Sequence, residues 1–475
     1  MKKKTVTSLI AVSLAAAMLA GCGGSAAQSG SAAQSGAAET GAADTEAAAE
    51  SGAQDAAADS AKASADGKTT ITFWHSMGGV NGEALTYLVD KFNQENDKNI
   101  YVDAVYQGEY DDTLNKLKSA QIGNMGADLV QVYEIGTRFM IDSGWVKPMQ
   151  ELIDADGWDV SQLEPNIAAY YTIDDKLYSM PFNTSTPILY YNKDMFDKAG
   201  ITEIPDSLPK IGEAAEKLTT DGGAGEAISL GIYGWFFEQF VCKQGANYVN
   251  NDNGRKEAAT AVDFDQNGAG EAILTQWKNL YDSGAAPMVG RGGDSGLADF
   301  TAGKSAITLG STASLKQILE DVNGKFEVGT AYFPKVNDDD KGGVSIGGAS
   351  LWALNNEDDK SAAVWEFIKF LVSPESQAYW NSQTGYFPVT VAAHDEQVFK
   401  DNLEKYPQFG TAIDQLHDSA PEYQGALLSV FPEARQIVET EIENMLNQGG
   451  DPKETCQTIA DQINKSIEDY NVVNS

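Results

Sequence analysis

The sequence predicts an α/β protein built as two lobes joined more than once, a hinged clamp. Three observations predict it. Short strand-type runs alternate with amphipathic helical runs from Thr69 onward, and a second block of the same kind begins near Pro187. About 400 residues follow position 68, enough for two lobes with cores of their own. In folds of this class a small ligand sits in the cleft between lobes.

In chain order, "TTITF" (69–73) alternates like a strand, and Leu85, Leu88, Val89 and Phe92 then fall at helical spacing over 82–93. "IYVDAVY" is the next strand, "YDDTLNKLKSAQI" the next helix and "DLVQVY" a third strand, a rhythm that predicts a largely parallel sheet. The second block carries helices around 211–218 and 271–281 and the strand "SAITLG". "GGASLWAL" reads as a late strand. "KSAAVWEFIKFLVSPESQAYWNSQT" reads as a helical pair broken at Pro374. Between the blocks, "LYSMPFNTSTPILYYNKDMF" (177–196) places Asn183, Thr184, Ser185 and Thr186 inside otherwise apolar sequence.

The N-terminus predicts export. Lys2, Lys3 and Lys4 precede the apolar run "TVTSLIAVSLAAAML", which is too short for a lasting membrane span and reads as a signal peptide over 1–21. "LAGC" at 19–22 looks like the lipobox of bacterial lipoproteins, which makes Cys22 the expected lipidation site. Ala, Gly, Ser, Gln and scattered acids dominate from Gly23 to about Asp66, so a disordered tether is expected over 22–68 with a reach of about 35–40 Å. The expected place of work is the extracytoplasmic face of the cell membrane. The expected lobes are 69–183 plus 349–384, and 186–346 plus 387–475.

The chain carries 69 Asp and Glu against 33 Lys and Arg, a formal charge of −36, which argues against nucleic acid or an anionic lipid surface as partner. Beyond Cys22 there are only Cys242 and Cys456, too few to imply a disulfide framework. "GVSIG" (343–347) matches a Gly-x-Ser-x-Gly elbow around Ser345, but an acidic loop precedes it and a strand follows, and the chain has just three histidines, His75, His394 and His417. "DFDQNG" (263–268) begins like a calcium loop, yet Leu274 stands where the bidentate acid belongs, so a strand end followed by a helix start is expected there. With no zinc-binding pattern and no phosphate-binding loop in the sequence, no enzyme, metal or cofactor is expected.

What remains is a scattered set of residues at strand ends: Tyr110, Glu134, Ser311, Gly348 and Tyr386, with Arg435 on the acidic helical run "FPEARQIVETEI". Arg435 is one of four arginines in the chain.

"TFWHSMGG", "VYQGEYDDTL", "LVQVYEIGT", "SMPFNTSTPILYYNKDMFDKAG", "GGASLWAL" and "TGYFPVT" together resemble the extracellular solute-binding proteins of ABC importers. More narrowly, they are similar to the branch that binds sn-glycerol-3-phosphate and glycerophosphodiesters. The resemblance implies a maltose-binding-like, type II periplasmic-binding-protein fold that works as a monomer, closes on one small phosphoester and presents it to membrane permease subunits. Carried over position by position, the family's ligand contacts fall on Tyr110, Glu134, Ser185, Ser311, Gly348, Tyr386 and Arg435, with Ser185 at the first crossing between lobes.

Chemistry suits those positions. A phosphate takes the planar fork of Arg435 with donors from Tyr386, Ser311 and the Gly348 N–H. Glycerol hydroxyls are received by Glu134, Tyr110 and Ser185, with Trp235 over the carbon chain. One departure is visible: "GIYGW" has Ile232 where the branch often carries a first tryptophan, so a looser glycerol end is expected. A neutral sugar or oligosaccharide remains the alternative ligand, and a hydrolase using Ser345 the alternative class.

Overall fold

The computed structural model describes residues 67–122, 126–420 and 422–474. Eleven strands are present among them: β1 Thr69–His75, β2 Ile100–Tyr106, β3 Leu129–Tyr133, β4 Thr172–Ile173, β5 Lys176–Leu177, β6 Met180–Ser185, β7 Pro187–Asn192, β8 Glu226–Ser229, β9 Ser305–Ser311, β10 Val328–Tyr332 and β11 Gly347–Ala353. They form a five-stranded sheet ordered β2-β1-β3-β11-β6, a four-stranded sheet ordered β10-β7-β9-β8 and the small hairpin β4-β5. The expected signal peptide, the expected lipidation site Cys22 and the expected tether up to residue 66 lie outside the described residues. No described helix is long and apolar enough to cross a membrane.

Each sheet has its own apolar centre. Phe73, Leu129, Phe182 and Leu351 pack with Phe367 and Trp380 on the first. On the second, Leu189, Ile228, Ile307 and Leu309 pack with Phe240 and Trp277, and apolar contact continues from there to Val130 and Val132 of the first sheet. The helix pair expected around Pro374 forms as Asp358–Leu371 and Pro374–Thr384. Ser373 Oγ accepts from the Ser376 N–H and Pro374 takes the first turn, where a missing N–H does no harm.

The sheets are mixed, which corrects the expectation of a largely parallel one. β1 is parallel to β2 and β3, and β8 to β9, whereas β11 runs antiparallel to β3 and β6, and β7 antiparallel to β9 and β10. The reason is topological. β7 continues from β6 through Thr186 alone, and β11 re-enters the first sheet after the chain has built the second, so both arrive from the opposite end. Asn183, Thr184, Ser185 and Thr186 are accordingly buried at the seam between sheets. Ser185 pairs with Gly347 in one sheet, and Pro187 pairs with Ser311 in the other.

At 263–268 the chain forms a turn before the helix Ala269–Asp282, with a single bridge from Val262 to Val249 in place of a strand. No cluster suited to a metal ion occurs among the described residues. Cys242 and Cys456 are both buried and both free.

Candidate functional site

The end of β3 delivers Tyr133 and Glu134, and the N-terminus of the helix Tyr110–Ile122 delivers Tyr110. Their rings stack, Tyr110 on Tyr133, with centroids 5.3 Å apart. Behind them a buried polar chain runs from the Ser76 N–H to Gln131 Oε1 (2.8 Å), from Gln131 Nε2 to Asn183 Oδ1 (2.6 Å) and from Asn183 Nδ2 to the Tyr110 hydroxyl (2.8 Å). That hydroxyl lies 3.4 Å from the hydroxyl of Tyr386, whose ring stacks on Trp380. Asn183 is therefore a rigid support for Tyr110, fully buried and itself held by Gln131.

Gly347 and Gly348 allow β11 to come close. A Cβ on Gly347 would meet the Trp235 ring at 2.4 Å, and one on Gly348, where φ is +92°, would meet the Asn183 carbonyl at 2.0 Å. Ser311 ends β9, with its Oγ accepting from the Ala313 N–H at 3.1 Å.

Arg435 sits on the helix Phe431–Gln448 in register with Phe431, Ala434, Val438 and Ile442, which places a guanidinium on the buried stripe. A charge there requires partners. Its Nε and Nη2 donate to the two oxygens of Glu238 at 2.7 and 2.8 Å, and Nη2 also donates to Glu134 Oε1 at 2.9 Å. The Tyr233 ring lies 5.6 Å from the guanidinium carbon. Burial opposes the charge of Arg435, and Glu238 and Glu134 more than offset it, holding its pKa well above the ordinary value. Burial pushes the Glu134 carboxyl up, against the pull of Arg435. Three of the five guanidinium N–H groups are thus engaged, and Nη1 has no partner among the described residues.

Tyr110, Glu134, Ser185, Trp235, Ser311, Gly348, Tyr386 and Arg435 all line one cleft of about 550 Å³. Sequence reasoning missed Tyr233, Glu109 and Asp294, which line the same cleft. It also missed Glu238, the strongest partner of Arg435. A glutamate inside the apolar run "GWFFEQF" was a usable signal, because a buried acid calls for a cation. Ile232 is buried away from the lining and Tyr233 faces the cleft beside Trp235, so the expected loose end carries an aromatic ring.

Ser345 is tied to Gln239, its Oγ accepting at 2.9 Å and its N–H donating at 3.0 Å. No histidine hydrogen-bonds to it; His394 and His417 flank Glu164 instead.

Residues 87–411 match the family model of the bacterial extracellular solute-binding proteins. The chain belongs to that family. Over 418 residues it is 33% identical to the sn-glycerol-3-phosphate-binding periplasmic protein UgpB of Escherichia coli K12, covering 85% of this chain and 94% of that protein. Among solved structures it resembles UgpB from Mycobacterium tuberculosis in complex with glycerophosphocholine, with a TM-score of 0.73 and 24% identity over 86% of this chain and all (100%) of that one. It also resembles the GacH receptor of Streptomyces glaucescens, solved unliganded and with acarbose, with a TM-score of 0.71 and 22% identity over 85% and 99% of the two chains. This solute-binding protein therefore has the two-lobed maltose-binding-like fold and belongs with the binding components of ABC importers.

Proposed function

We propose that this solute-binding protein captures sn-glycerol-3-phosphate or a glycerophosphodiester in the cleft and delivers it, as a monomer, to the permease subunits of an ABC importer. The observation that carries this is the convergence of a fixed guanidinium with two unengaged donors, the hydroxyls of Ser311 and Tyr386, and Glu134 on one cleft of about 550 Å³. Arg435 Nη1, Ser311, Tyr386 and the Gly348 N–H take the phosphate. Glu134, Ser185 and Tyr110 take the glycerol hydroxyls, and Trp235 covers the carbon chain.

The first lobe is 69–183 with 349–384, and the second is 186–346 with 387–475. Ligand contacts from both lobes shift the clamp toward its closed state. Cys22 carries the lipid that anchors the tether at the extracytoplasmic membrane face, so Cys22→Ala should move the protein from the membrane to the soluble fraction.

A neutral sugar is the second reading, and one observation favours it: the lining sets three carboxylates, Glu109, Glu134 and Asp294, against the single guanidinium of Arg435. Thermal-shift titration separates the two. A rise in Tm with glycerophosphocholine or sn-glycerol-3-phosphate but not maltose supports the phosphoester, and the reverse supports the sugar.

A further inference from the structure

Glu238 does not line the cleft, yet it takes two of the three engaged N–H groups of Arg435. A phosphate at Arg435 therefore meets a guanidinium already facing two carboxylates, Glu238 and Glu134, a cluster of net charge −1. The other charged groups around it do not restore positive charge. Glu439, one turn along on the same helix, accepts from the Gly234 N–H, and Arg291 is engaged by Glu443. Glu109 and Asp294 add carboxylates to the lining, and no lysine is among the lining residues. The remaining neighbours of the clamp, Tyr233, Tyr133, Tyr170 and Tyr248, are held neutral by burial.

From this we infer that Glu238 is a specificity-determining residue acting through Arg435. It fixes the guanidinium plane with a two-pronged grip and lowers its positive potential, so that the cleft accepts a singly charged phosphate and discriminates against a doubly charged one. This rests on the phosphoester reading and deepens it. A phosphodiester carries one charge at all working pH values. A phosphomonoester gains its second charge near pH 6.

The test is the ratio of dissociation constants for sn-glycerol-3-phosphate and glycerophosphocholine, measured by calorimetry between pH 5 and 8. The diester serves as an internal reference for pH effects that act on both ligands alike, and comparison with Glu238→Gln isolates the part due to Glu238. In the wild type the monoester should lose about tenfold relative to the diester as pH rises through 6. In Glu238→Gln, similar in shape but uncharged, that loss should shrink to about threefold or less. Glu238→Asp keeps the charge and should keep the wild-type profile, whereas a merely structural role would weaken both ligands equally at every pH. A flat ratio in the wild type would overturn the inference even if Glu238→Gln fails to fold, and so would an unchanged profile in a folded Glu238→Gln. Binding of neither phosphoester at any pH would instead overturn the phosphoester reading, and the inference with it.

Discussion

Arg435 Nη2 lies 2.9 Å from Glu134 Oε1, so the helix Phe431–Gln448 grips the end of β3 through a buried ion pair. Both side chains are less than a tenth exposed, which makes truncation of either partner expensive. Arg435→Ala leaves Glu134 and Glu238 facing each other without a cation. It should destabilise the fold by about 3 kcal/mol in denaturant melts, while Arg291→Ala, at a more exposed pair with Glu443, should cost less than about 1 kcal/mol. Equal effects would contradict the buried role.

Gly348→Ala should be more disruptive than its size suggests. Its φ of +92° is strained for any L side chain, and the new Cβ would lie 2.0 Å from the Asn183 carbonyl. A loss of about 3 kcal/mol is expected, together with weakened ligand binding, because the same shift displaces Asn183 from Tyr110. A variant with wild-type melting would show that β11 does not approach β6 this closely.

Tyr110→Phe removes the acceptor of the Asn183 amide, leaving a buried donor without its partner. About 1–2 kcal/mol of stability should be lost. Ligand affinity should fall as well, since Tyr110 lines the cleft. Full affinity in the variant would remove Tyr110 from the binding set.

His75 is buried, and that burial lowers its pKa from 6.5 to about 4. The unfolded chain therefore binds a proton that the folded one refuses between those values. Stability from neutral His75 is complete above about pH 6.5, falls as pH drops, and is gone below about pH 4, a total of about 3 kcal/mol. Between pH 7 and 4.5 the wild type should lose about 2 kcal/mol more than His75→Gln. Parallel losses would contradict a neutral buried imidazole.

The regular elements of the first sheet were legible because their patterns are clean. β2 coincides with "IYVDAVY", and the helix Tyr110–Ile122 coincides with "YDDTLNKLKSAQI". The helix Gly79–Glu95 begins a turn before the apolar periodicity does, and Gly78 at its N-cap offers no side-chain signal. The helix Gly234–Lys243 left no helical trace because Trp235, Phe236, Phe237, Phe240 and Val241 bury it almost all round, which erases the 3.6-residue period. Strand direction was misread at β7 and β11, since direction depends on where the chain returns from and leaves no mark in local pattern. For the cleft, Tyr110, Glu134 and Arg435 came from resemblance, whereas Glu238 stands outside every motif of that resemblance: its apolar setting in "GWFFEQF" calls for a cation, and only the geometry shows that the cation is Arg435.

Calorimetric titration of residues 67–475 with sn-glycerol-3-phosphate, glycerophosphocholine and maltose, beside the Arg435→Ala variant checked for folding, tests the ligand assignment most directly. Saturable binding of a phosphoester that disappears in the folded variant is the predicted result. Binding of maltose alone, or phosphoester binding indifferent to Arg435, would contradict it.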